Sequence, residues 1–160
     1  MNYFKSALAG FGMSFIGTSL CGAKTSMCVK NQKKDYWCGD ENWTFPKAFL
    51  SNNIACIPTA MLGAAYHDYF GKDVAQKFND YFKTDVSPYI LDGAVFGSLV
   101  LFCGIPMIAS EKEIDKTFIL STFIIQGFVL GCTAAFGAYF GDEEVSQQNE
   151  ELDVTPLDPC

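Results

Sequence analysis

Few side chains in this sequence can do chemistry. The chain of 160 residues holds one histidine, His67, with seven cysteines, 11 lysines and no arginine. Haem ligation through two imidazoles needs a second histidine, so a b-type cytochrome site is excluded. Cys21, Cys28 and Cys38 run C-x6-C-x9-C, with no C-x-x-C and no histidine nearby, which does not fit a zinc or iron–sulfur site. Cys56, Cys103 and Cys132 fall in apolar stretches and read as small packing residues. His67–Asp68 closes an apolar stretch and could take a proton or a lipid headgroup, but a hydrated helix end is the expectation. Asp92 stands at the mouth of the next stretch. No Asp or Glu lies deeper, so a proton or ion path lacks its usual groups. No catalytic, metal or cofactor site is expected, and the chain is not read as an enzyme.

The elements that carry these residues follow from charge spacing. Residues 6–23, 48–67 (with His67 neutral), 93–110 and 117–141 are uncharged for 18, 20, 18 and 25 positions. About 20 helical residues cross a hydrocarbon core of roughly 30 Å. A soluble helix would show a polar stripe at i, i+3, i+4, and 117–141 has none. The pattern predicts an all-α integral membrane four-helix bundle, a tetraspan domain over 1–141. Its spans lie at about 4–23, 47–67, 89–109 and 112–141. Pro46 and Pro88 stand where the second and third spans begin, and Pro58 should kink the second. Ser110 and Glu113 have capping-box spacing and should open the last span after a tight turn. Residues 72–84 read as a short interfacial amphipathic helix, with Val74, Phe78, Tyr81 and Phe82 on one face.

Charge divides the chain in two. Net charge is −7, yet residues 1–141 hold 11 lysines against 11 acids. The excess lies in Asp142, Glu143, Glu144, Glu150, Glu151, Asp153 and Asp158 of an acidic extension over 142–160. No basic face exists for nucleic acid. The extension should bind a basic surface on a partner. Lysines favour the 24–47 and 111–116 connections over the other side, seven against four. The positive-inside rule then places both termini on the outer side, the intermembrane space in a mitochondrion. On that orientation Cys28 and Cys38 face a reducing space and stay thiols, and the Asn42-Trp43-Thr44 sequon goes unused.

Small residues recur every four positions. Ser6, Gly10, Ser14, Thr18 and Gly22 stripe the first span. Gly63 continues a second stripe, Gly93 and Gly97 a third, and Gly127/Gly131 and Gly137/Gly141 two more. Such stripes let helix backbones approach where lipid supplies no hydrophobic drive. Some should pack within the bundle and others against other membrane subunits.

Four spans with both termini outside, glycine-striped helices and a short charged turn resemble the mitochondrial translocase-of-the-inner-membrane (Tim) family. Gly93-x2-Phe96 resembles the opening of its signature and Gly127-x3-Gly131 its close. No arginine lies between them, and Asp115 is the one candidate for the signature's acidic residue. The family contains import-channel subunits and an accessory subunit of respiratory complex I. The resemblance implies a multi-pass protein of the mitochondrial inner membrane. The leading expectation is a non-catalytic accessory subunit of a respiratory complex, touching neighbouring subunits and the lipid bilayer, where a phospholipid such as cardiolipin could bind. The alternatives are a small carrier or translocase component, with a groove lined by Asn52, Asn53, Gln126 and Thr59, or a thylakoid photosystem subunit.

Overall fold

A computed structural model describes residues 1–30, 44–110 and 116–142. The Ser110–Glu113 cap, the sequon, Cys38 and the extension beyond Asp142 lie outside the described residues. So do the side chains of Cys21 and Cys28.

Among the described residues helix is the only regular secondary structure. The elements are α1 (Tyr3–Lys30), α2 (Phe45–Tyr66), a π-helical turn (His67–Gly71), α3 (Lys72–Phe82), α4 (Pro88–Ser110) and α5 (Lys116–Gly141). Pro46 lies in the first turn of α2, where its missing N–H is no loss, after Thr44 in an extended conformation. Pro88 opens α4 in the same way, and the Ser87 carbonyl accepts from the Ile90 and Leu91 amides. The α2 helix runs unbroken past Pro58.

The expected gap between the second span and the amphipathic segment is absent. α2, the π-turn and α3 form one rod from Phe45 to Phe82. Its 38 residues make it about 57 Å long at about 1.5 Å per residue, against about 30 Å of hydrocarbon. No glycine–proline break separates the two halves, and a π-turn keeps the backbone bonded while shifting the register by one residue. The rod ends at Lys83, whose left-handed backbone (φ 54°) lets its amide reach the Asn79 carbonyl. The Asn79 side chain then clasps Val86 at both backbone groups, each at 3.0 Å, and turns the chain back into α4.

The rods pack around α5, which touches α1, α2 and α4, while α1 and α2 pack on each other. α4 lies on the outer side of α5 and meets α2 only slightly. Three stretches, Phe45–Phe82, Pro88–Pro106 and Phe123–Gly141, are long and apolar enough to cross a membrane. The burial pattern is compatible with a bilayer protein. Ser6, Ser14, Thr18 and Thr133 are fully buried, whereas Phe4, Leu50, Ile54, Phe102 and Phe128 are each 65% exposed or more. In water so many exposed large apolar residues would aggregate; in lipid they meet their own kind.

Candidate functional site

Every glycine of the striped positions whose surroundings are described meets another helix of this chain. A Cβ on Gly10 would lie 2.7 Å from the Cys56 carbonyl oxygen. One on Gly63 would lie 2.5 Å from the Ala134 carbonyl oxygen, and one on Gly137 would overlap the Ala60 backbone. Gly93 faces Gly131 and Gly97 faces Gly127, each Cβ position 2.6–2.9 Å from the opposite carbonyl. Gly141 abuts the Ser6 hydroxyl. Ser6 Oγ also donates to the Gly137 carbonyl at 2.8 Å. Ser14 and Thr18 meet α2 through side chains: Ser14 Oγ donates to Asn53 Oδ1, and Asn52 Nδ2 donates to Thr18 Oγ1, both at 2.9 Å. Gly22 is half-buried near the far end of α1. The packing positions whose surroundings are described are therefore consumed inside one chain.

The cysteines and the expected groove divide differently. Cys56 is buried, Cys132 half-buried and Cys103 exposed, and none of the three is in a disulfide. The Thr59 hydroxyl donates to its own helix at Ala55. A cavity of about 510 Å³ runs between α4 and α5, lined by residues such as Ile90, Gly97, Leu101, Ile124 and Phe128. Asn52, Asn53, Thr59 and Gln126 do not line it.

The chemistry sits at one end of the bundle, and there the sequence expectation needs correcting. His67 is not a hydrated helix end: it is fully buried, and Asp92 is 1% exposed. Only Asp68 of the expected pair points outward. His67 Nδ1 lies 2.6 Å from Asp92 Oδ2. A contact that short requires a proton between the two atoms, and with Asp92 ionised the proton is on Nδ1. The π-turn brings Gly71 under the carboxylate, where a Cβ would stand 2.5 Å from Asp92 Oδ1. Tyr89, one turn before Asp92, stacks on the imidazole with ring centroids 4.6 Å apart. Its hydroxyl donates to Asp142 Oδ2 at 3.1 Å. Asp142, the first residue of the acidic extension, is 6% exposed. Its Oδ2 lies 3.5 Å from His67 Nε2 and 3.5 Å from Lys72 Nζ. Nε2 has no hydrogen-bond partner among the described residues.

This cluster ties together the ends of α2, α4 and α5. The start of α1 closes it, because the Asn2 amide donates to the Gly141 carbonyl at 2.6 Å. An Asp–His pair is the orienting half of a general-base system, but a base must reach a substrate proton. Here the imidazole is sealed under Tyr89, Gly71 and Asp142, so its evident work is to clamp helix ends.

The fold and this clamp define a helical membrane-type bundle. Comparison with family models, with curated proteins and with solved structures finds no match.

Proposed function

We propose that the chain is a four-span, non-catalytic accessory subunit of a larger membrane assembly, the respiratory complexes of the mitochondrial inner membrane being the leading setting. The observation that carries the reading is the sealed His67–Asp92 pair: among the described residues, the one constellation able to do acid–base chemistry is closed to substrate and joins helices. Supporting it, the small-residue stripes are used internally while large apolar side chains cover the outside, leaving a finished unit that meets lipid and neighbours with Phe, Leu and Ile. α1, uncharged from Ser6 to Ala23, serves as the fourth span. The contact between Asn2 and Gly141 puts the start of α1 and the end of α5 at one end of the bundle, as an even number of crossings requires. The mitochondrial setting rests on the Tim-like layout. The acidic extension from Asp142 onward is the element offered to a basic partner surface.

A carrier would want a polar path, and the α4–α5 cavity is lined by apolar residues and glycine with a single hydroxyl, that of Ser98. The test is extraction of the tagged full chain from its native membrane in mild detergent, followed by native electrophoresis. Migration with a respiratory complex far above 17.6 kDa is the expected result. A monodisperse chain that alone moves a solute across liposomes overturns the reading.

A further inference from the structure

We infer that His67 is a proton-binding site whose occupancy closes a latch on Asp142, and so fixes the point where the acidic extension leaves the bundle. This goes beyond the subunit assignment and holds for the chain on its own. Nδ1 is committed to Asp92 at 2.6 Å. Nε2 is buried and without a hydrogen-bond partner, yet aimed at a carboxylate oxygen 3.5 Å away. With Nε2 unprotonated, a lone pair faces an anionic oxygen, which repels. With Nε2 protonated, the ring donates to one carboxylate on each side and bridges α4 to the end of α5.

The charged groups around the ring point the same way. The titratable groups gathered here are Asp92 and Tyr89 from α4, Asp142 and Tyr139 from the end of α5, Lys72 from the start of α3, and Tyr66 and exposed Asp68 beside His67. α1 adds Met1, packed on Gly141. Asp92 and Asp142, both nearly buried, lie 2.6 Å and 3.5 Å from the two ring nitrogens, and Lys72 Nζ lies 3.5 Å from Asp142 Oδ2. A carboxylate this near favours the protonated ring over the neutral one. The proton comes from water, no bond other than N–H forms, and loss of the proton reverses the step.

The chain has only this histidine, which makes the test direct. Full-length protein labelled with ¹⁵N-histidine is placed in lipid nanodiscs and followed by NMR from about pH 8 to about pH 5, the range in which imidazoles change charge. The expected result is one step in which Nε2 gains a proton while Nδ1 keeps its own. Asp142→Asn should move that step about 1 pH unit lower, since a carboxylate within 4–6 Å favours the cation by that much or more. Lys72→Gln should move it higher. Thermal unfolding should track it, with the melting temperature falling as pH rises through the step, and falling less in Asp142→Asn. An Nε2 signal that keeps one protonation state across the range overturns the inference. So does a step that neither variant moves. If Asp142→Asn does not fold, the Lys72→Gln shift decides, since Lys72 is half-exposed and tolerates replacement.

Discussion

The α1–α2 and α4–α5 pairs solve the same problem in different ways. Both hold helices together where the surroundings are as apolar as the side chains, so neither gains much from hydrophobic burial. The α1–α2 pair brings a small face, Gly10 against Cys56, and adds two side-chain hydrogen bonds, Ser14–Asn53 and Asn52–Thr18. The α4–α5 pair relies on backbone approach, Gly93 and Gly97 against Gly131 and Gly127. Where those glycines leave no side chain to fill space, a cavity of about 510 Å³ opens along the seam. Since α4 scarcely meets α2 along its length, its second anchor is at its end, where Asp92 holds His67. The outermost helix thus has a polar clamp at its end in addition to its glycine seam.

That contrast can be broken at several points. Removing the clamp should do the most: Asp92→Ala leaves His67 buried beside a hole and should cost about 3–5 kcal/mol, the range for one partner of a buried ionic pair. Unfolding in mixed detergent micelles measures it, and a cost under about 1 kcal/mol would mean that α4 does not need its end anchor. Next comes the seam itself. Gly131→Leu drives a side chain into the Gly93 carbonyl and Gly97, and should cost about 1–3 kcal/mol or more by overpacking, with reduced incorporation into the assembly on a native gel. The hydrogen-bonded pair should be less sensitive to its polar groups. Asn52→Ala loses the bond to Thr18 and should cost about 0.6 kcal/mol, with about 1.7 as the ceiling for such bonds in bilayers. The smallest effect has the opposite sign. A Cβ on Gly12 meets nothing within 4 Å, so Gly12→Ala should gain roughly 0.5 kcal/mol of helix propensity, whereas Gly97→Ala, 2.9 Å from the Gly127 carbonyl oxygen, should lose stability. Equal effects at Gly12 and Gly97 would remove the case for a glycine seam.

A truncation pair separates the clamp from the extension that follows it. A stop after Asp142 keeps the carboxylate that meets Tyr89 and Lys72, and should weaken partner binding with the bundle intact. A stop after Gly141 removes that carboxylate too, and should lower the melting temperature further. Identical melting curves for the two would show that Asp142 contributes nothing to the bundle.

The sequence by itself determined the helices and the faces they use. Uncharged runs of 18–25 residues allow little but helix in lipid, because every backbone group there must bond within its own segment. Pro46 and Pro88 marked two starts, and the small residues at spacing four drew the stripes along which Gly10, Gly63, Gly131 and Gly137 approach other helices. What the sequence could not show was which stripe meets which, since Gly, Ser and Ala are compatible with any close partner. It also missed the continuity of α2 with α3. A change from apolar to amphipathic pattern looks like a break, and one π-turn at His67–Gly71 carries the helix across it.

The clamp was hidden for a different reason. His67, Asp92 and Asp142 lie 25 and 50 residues apart, each at the edge of an apolar run, where a charged group ordinarily reaches water. The one available signal was topological: an up-and-down path returns the end of α2, the start of α4 and the end of α5 to the same side. Burial of those ends was decided only in three dimensions, by a shift of register in the π-turn, the absence of a Cβ at Gly71, and the Asn2–Gly141 contact that closes the site. Charge spacing along a chain fixes where helices run; whether a carboxylate at a helix end faces water or an imidazole depends on neighbours that the chain brings there by folding.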